Sequence, residues 1–193
     1  MRAYWAMFII YFLTAFAIFG VSVQSVAYLV ELGFGEFEAA GAFGIAGVLS
    51  FAGMFLTGAA ADRYGRSLVA SISYLLTILG VIGLAFLQFF PDKSLIFLWI
   101  IPYGLSMGAR GPIIATLQAK LFAGRGLGAI YGMTMMGQGL GAGLSAWFGG
   151  LLFDLTGGYN LLFSISIIST LVCIILFWIT PEIRLGQLNR TKG

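Results

Sequence analysis

Apolar side chains gather in six long blocks along this chain, at about 4–30, 38–61, 67–90, 95–119, 128–153 and 159–180. Each reaches the roughly 20 residues that a helix needs to cross the hydrocarbon of a bilayer. A backbone in hydrocarbon has no water to bond, so helices, which satisfy their own amides, are the economical way across. The separators at 31–36, 62–66, 90–94, 120–127 and 154–158 are short, and Gly or Pro in each supplies the backbone angles of a tight reversal. The pattern predicts an all-α integral membrane bundle of six transmembrane helices within 1–180, followed by a polar cytoplasmic tail at 181–193. Arg2 precedes the first block as in a signal peptide, but a signal's apolar region is only about 7–15 residues long. The first block therefore reads as a retained span.

Composition narrows the class. Of 193 residues, 60% are hydrophobic and 9% charged, with a mean hydropathy of +1.02. Soluble domains carry roughly 25% charged residues, so this surface has to face lipid. Histidine is absent, which excludes imidazole metal ligands, Ser-His-Asp and Cys-His nucleophiles and histidine proton relays within the chain. The one cysteine, Cys173, sits in an apolar block and leaves neither an intrachain disulfide nor a CxxC metal or redox site. No cofactor and no metal are expected. With no nucleophile elbow and no carboxylate dyad in a span, enzymatic chemistry is not expected either.

Lys and Arg are sorted by side. Arg2, Arg63, Arg66, Lys120, Arg125, Arg184, Arg190 and Lys192 fall on one side of six alternating crossings. Only Lys93 falls on the other, beside Glu31, Glu36, Glu38, Asp92 and Asp154. Basic loops stay inside, which predicts that both termini are cytoplasmic and that the membrane is the plasma or inner membrane. The scatter also excludes the clustered basic face of a nucleic-acid binder.

One charge remains within a block, Arg110. A charge inside a membrane is costly and marks function by default. Arg110 lies ten residues before Lys120, about 15 Å of helix. Gln138 lies ten residues after Gly128 on the next, antiparallel block. The two share a depth near the midplane, where transporter substrates bind. Arg110 would offer a fixed positive charge to a carboxylate or phosphate, and Gly111 and Pro112 would open the local backbone. The alternative is that Arg110 pairs with a carbonyl or an acidic partner and only locks helices together. All seven acidic residues stand at or beyond block ends, so a proton-coupled carrier would have to keep its protonated group elsewhere. Glycine numbers 28. Gly137-x3-Gly141 and Gly139-x3-Gly143 have the spacing at which membrane helices approach closely, and Gly41, Gly44, Gly47 and Gly53 repeat the theme in the second block.

The second separator, with its flanks, reads Gly58-Ala59-Ala60-Ala61-Asp62-Arg63-Tyr64-Gly65-Arg66-Ser67. It resembles the G-x-x-x-D-R-x-G-R-[RK] signature of the major facilitator superfamily in sequence, position and side, with Ser67 in place of the final basic residue. Physically, Gly58 admits a neighbouring helix and Gly65 reverses the chain. Asp62 meets the positive end of the third helix, and Arg63 and Arg66 hold the loop inside. The resemblance adds a gating role for Gly58, Asp62, Arg63, Gly65 and Arg66, latching helices when the cytoplasmic side is closed. Three further stretches look like the C-terminal half of the monocarboxylate and oxalate/formate-type facilitators. They are Gly104-x3-Gly108-Ala109-Arg110-x-Pro112, Gly128-Ala129-Ile130-Tyr131-Gly132 and the run from Gly149 to Tyr159.

The resemblance implies six helices forming one half of a major-facilitator fold, in which the first, second, fourth and fifth spans line the cavity. That adds Gln24, Tyr103 and Tyr131 to Arg110 and Gln138 as candidate solute contacts, with Tyr11, Thr14, Ser50 and Ser106 behind them. The branch commonly holds a carboxylate with a basic residue in the second span of this half, and 38–61 has none within it. The expected function is transport of a small solute, an organic anion being the candidate, by half of a secondary transporter or antiporter working by alternating access. Its expected partners are the lipid bilayer, the solute and a second six-helix half: a separate chain, a second copy or a missing N-terminal half. The alternatives are a substrate-binding subunit of a multi-component importer and a truncated, inactive half-transporter.

Overall fold

Helices take up nearly all of the residues described by the computed structural model, 2–122, 124 and 126–180, and no strand occurs among them. α1 (Arg2–Glu31), α2 (Glu36–Tyr64), α3 (Arg66–Phe86), α6 (Leu127–Thr156) and α7 (Asn160–Ile179) cover five of the six apolar blocks. Of these, α1, α2, α3 and α7 are each long and apolar enough to cross a membrane. α6 has the length, at 30 residues, but its glycines dilute its apolar character. The tail at 181–193, with Arg184, Arg190 and Lys192, and also Arg125, lie outside the described residues.

The fourth block departs from expectation. Instead of one helix over 95–119, the chain forms a 3-10 turn (Lys93–Leu95), then α4 (Ile96–Met107) and α5 (Arg110–Leu121). Each helix has 12 residues, about 18 Å and too short to cross alone. The cause is local. Pro112 has no N–H to give the Gly108 carbonyl, so the ladder loses a rung at this point. Gly108 (φ −84°, ψ −16°) and Ala109 (φ −65°, ψ −34°) keep right-handed helical angles. The helix is thus interrupted in its hydrogen bonds but not turned back, and the Thr57 hydroxyl of α2, bonded to its own Gly53 carbonyl at 2.6 Å, lies 3.4 Å from the Ala109 carbonyl.

α1 packs along α6 and against α7 and α2, while α4 is held between α2 and α3. Backbones come close where side chains vanish. A Cβ on Gly53 of α2 would stand 2.0 Å from the Leu105 carbonyl oxygen, and one on Gly141 of α6 would stand 2.3 Å from that of Phe12. Two apolar clusters fill the bundle, one at each end. One gathers Leu29, Phe34, Ala39, Leu84, Ile96 and Phe163; the other gathers Met7, Ala61, Val69, Leu117 and Phe177. Thr14, Thr77, Ser106 and Arg110 are buried and belong to neither. By chain position they lie between the two clusters, forming a polar layer at mid-height.

The second cluster brings the start of α1, the α2–α3 turn and the end of α7 to one end, so Arg63 and Arg66 sit apart from the acidic loops. At the acidic end Lys93 pairs with Glu38, tying the 3-10 turn to α2. Large apolar side chains on the outer faces are open, Phe37 at 91% and Val48 at 74% among them. Exposed apolar faces of this extent suit lipid or another bundle.

Candidate functional site

Arg110 is the first residue of α5 and only 2% exposed. Its Nε and Nη2 donate to the Ser106 carbonyl at 3.3 and 3.1 Å, and Nη2 also donates to Thr77 Oγ1. The guanidinium carbon stands 4.7 Å from the ring centre of Tyr74, a cation–π contact. Nη1 is buried with no partner. Among the described residues no carboxylate forms an ion pair with Arg110. The side chain is therefore gripped through Nε and Nη2, with Nη1 buried and unmatched.

The grip is built by α3 and α4. Thr77 Oγ1, which accepts from Arg110, has Ser106 Oγ at 2.8 Å and the Ser73 carbonyl at 3.1 Å as acceptors for its one proton. Tyr74 in turn reaches α1, its hydroxyl 2.7 Å from Thr14 Oγ1, and Thr14 Oγ1 lies 3.6 Å from Cys173 Sγ on α7. Tyr74 and Thr77 did not emerge from the sequence. Their spacing of three puts both on one face of α3, and a polar pair on one face of an apolar helix is the signal that marks them.

A cavity of about 250 Å³ borders Arg110. α1 lines it with Tyr11, Thr14, Ala15, Ile18 and Phe19, α2 with Met54, and α4, α5 and α6 with Met107, Ile114 and Gln138 among others; α3 and α7 contribute no lining residue. Arg110 and Gln138 thus share one cavity, as their matched depth predicts. Tyr11 is 4% exposed, and its hydroxyl, like Arg110 Nη1, is buried without a partner.

The other candidates lie elsewhere. Tyr103 gives its hydroxyl to the Ile18 carbonyl (2.7 Å) and stands 2.9 Å from Ser22 Oγ, clamping α4 to α1. Gln24 lies along the α1–α6 seam, its amide 3.5 Å from the Ala146 carbonyl. Tyr131 is exposed on α6 and does not line the cavity. A larger cavity, about 700 Å³, opens at the acidic end between α1, α2 and α6. Its carboxylates Glu31 and Glu36 are exposed, and no buried charge converges on it, so the smaller cavity is the better site.

At the opposite end, Gly65 joins α2 to α3 at φ +94°, a conformation only glycine takes without strain. Asp62 stands in the last turn of α2 and lies 3.9 Å from the buried Arg66, across the turn. Arg63 is exposed and covers the Tyr64 ring at 5.6 Å. A Cβ on Gly58 would meet nothing within 4 Å, so the neighbour expected against Gly58 does not come from the described residues.

Residues 7–192 match the Major Facilitator Superfamily. The chain belongs to that superfamily. Transporters of known structure share its fold: a mutant of the peptide transporter POT in complex with sulfate superposes with a TM-score of 0.82, 23% identity and 96% coverage of this chain. A POT family transporter in complex with 5-aminolevulinic acid gives 0.75, 19% and 94%. Among curated proteins, the quinolone resistance protein NorB of Staphylococcus aureus (strain JH9) is 29% identical over 144 residues, or 74% of this chain. The chain spans 30% of that relative and 39% of the sulfate-bound transporter. This major-facilitator chain is therefore an integral membrane protein whose family moves solutes across membranes. Its Asp62–Arg66 turn and Arg110 cavity are the features on which a finer reading rests.

Proposed function

We propose that this chain is one half of a secondary transporter, binding a small organic anion beside Arg110 and working by alternating access against a second six-helix half. The observation that carries the reading is Arg110 Nη1, a buried cationic donor without a protein partner, on a residue that lines a cavity. A guanidinium left in that state favours an anion over any neutral solute. In this reading α4 and α5 together make the fourth of six crossings, the Arg63 end and both termini face the cytoplasm, and the membrane is the cell membrane.

The need for a second half is supported by length and by surface. The chain spans under half of the relatives it matches. Gly139 and Gly143 of α6, and Gly41, Gly44, Gly47 and Gly58 of α2, have nothing within 4 Å of a built Cβ. Small residues with open space beside them suit a helix from elsewhere, and Gly58 belongs to the turn that would latch against it. The likeness to monocarboxylate and oxalate/formate facilitators in 104–159 favours an organic anion and exchange of one for another.

A second reading, extrusion of an amphiphilic compound, is favoured by the likeness to the quinolone resistance protein and by the apolar wall of Ile18, Phe19, Met54 and Met107.

The test is flux in proteoliposomes holding the complete transporter, with labelled acetate, pyruvate and benzoate as probes. Uptake of at least one, lost in Arg110→Ala at unchanged membrane insertion, is expected. Uptake that survives Arg110→Ala rejects the anion site, and movement of a cationic amphiphile alone selects the second reading.

A further inference from the structure

We propose that the Tyr11 hydroxyl is the second anchor of the solute site, donating to the same anionic group as Arg110 Nη1. This rests on the anion reading of the Arg110 cavity. Two residues that line one cavity, on two different helices, each carry a buried donor bonded to nothing: Tyr11 Oη on α1 and Arg110 Nη1 on α5. A buried donor without a partner is costly, and one ligand drawn in between the two residues would satisfy both donors.

The grip on Arg110 dictates why a second anchor is needed. Nε and Nη2 are committed to the Ser106 carbonyl and Thr77. The guanidinium cannot present its two-pronged fork to a carboxylate; it offers one nitrogen, Nη1, whose two N–H bonds diverge and do not match both carboxylate oxygens. The second carboxylate oxygen has to find its donor on another helix, and Tyr11 has one free. Binding would then draw α1 and α5 onto one ligand.

The wall also carries a specificity. Among the described residues, Tyr11, Thr14, Gln138 and Arg110 are its polar side chains, and no acidic side chain lines it. An ammonium group brought in beside Arg110 would meet like charge and no carboxylate from the described residues of this half. The site selects a singly charged anion with an apolar body and rejects the zwitterion of similar shape.

Benzoate and phenylalanine, titrated calorimetrically into the complete transporter in detergent, are the probes. Wild type is expected to bind benzoate and to bind phenylalanine at least roughly tenfold more weakly. Tyr11→Phe, which removes one oxygen and keeps the ring, should weaken benzoate by roughly tenfold or more. Because that oxygen bonds nothing in the protein, the unfolding temperature of ligand-free Tyr11→Phe should match or exceed that of wild type. A lower unfolding temperature, or failure to fold, would give the hydroxyl a structural bond and overturn the proposal. Loss of benzoate binding in Arg110→Ala with wild-type affinity in Tyr11→Phe overturns this proposal and leaves the anion site standing. Wild-type affinity in Arg110→Ala, or no benzoate binding by wild type, overturns both. Phenylalanine binding as tightly as benzoate overturns the specificity.

Discussion

Arg110 is a cation kept in a membrane bundle without a carboxylate. Three substitutes hold it: the Ser106 carbonyl, the Thr77 hydroxyl and the face of Tyr74. The ring is comparable to the hydrogen bonds, since a desolvated cation–π contact is worth about 2 kcal/mol. Tyr74→Phe keeps the ring and loses the 2.7 Å bond to Thr14, a cost of about 1 kcal/mol. Tyr74→Leu loses both. Thermal unfolding in detergent should therefore fall further for Tyr74→Leu than for Tyr74→Phe, and anion affinity should drop chiefly in Tyr74→Leu. Equal losses in the two variants would show that the ring does not support Arg110. Arg110 was legible as the one charge inside an apolar block, whereas Tyr74 and Thr77 were not. A hydroxyl in a membrane helix most often bonds its own backbone one turn back, as Ser71 and Thr170 do here, and sequence does not separate those from the two that reach sideways.

At the scale of elements, the interrupted α4–α5 helix places Arg110 at a helix start beside a cavity. Pro112→Ala would return a donor to the Gly108 carbonyl and let α4 run into α5. The expected outcome is a higher unfolding temperature with slower transport, the trade a rigidified site makes. A rise in both rate and stability would deny the interruption a role. The α2–α4 contact yields a sharper contrast. Gly53→Val drives a side chain into the Leu105 carbonyl, whereas Gly47→Val enters open space within the described residues. Overpacking of this kind costs roughly 1–3 kcal/mol or more. Unfolding of the complete protein should come earlier in Gly53→Val, with Gly47→Val closer to wild type. The spacing of glycines was visible along the chain, but which of them face inward was not. Gly41, Gly44, Gly47 and Gly53 all read alike as small residues in an apolar block.

Across the whole molecule, charge sorts by end. The Arg63 turn lies with the two described chain ends, and the acidic loops lie opposite, one of them tied by Lys93 to Glu38. If the basic end is cytoplasmic, a cysteine at position 64 is reached only from inside. Cys173 is buried, so its background is low. Tyr64→Cys should resist a membrane-impermeant maleimide in intact cells and react after permeabilisation; labelling of intact cells would invert the topology. In the proposed cycle the same end would carry the gate. Asp62→Asn removes a charge facing Arg66 across Gly65, and it should shift the accessibility of cavity cysteines, such as one at Gln138, toward the inward-open state. Identical labelling rates in the two backgrounds would reduce the turn to a topological signal.

By itself the sequence determined the quantities that depend on local composition. These are the apolar blocks, the sides on which charges fall, the turn signature and the anomaly at Arg110. Only the tertiary structure decided how each helix is rotated about its axis. That rotation put Tyr11, Thr14 and Gln138 on the cavity and turned Tyr103 and Gln24 into helix–helix clamps. It also left two donors unpaired on residues that line one cavity. The reason is physical: in a membrane bundle the core and the surroundings are both apolar, so hydrophobicity no longer tells an inward face from an outward one. Orientation is then set by close contacts between small residues and by a few sideways hydrogen bonds, which exist only once the helices have met.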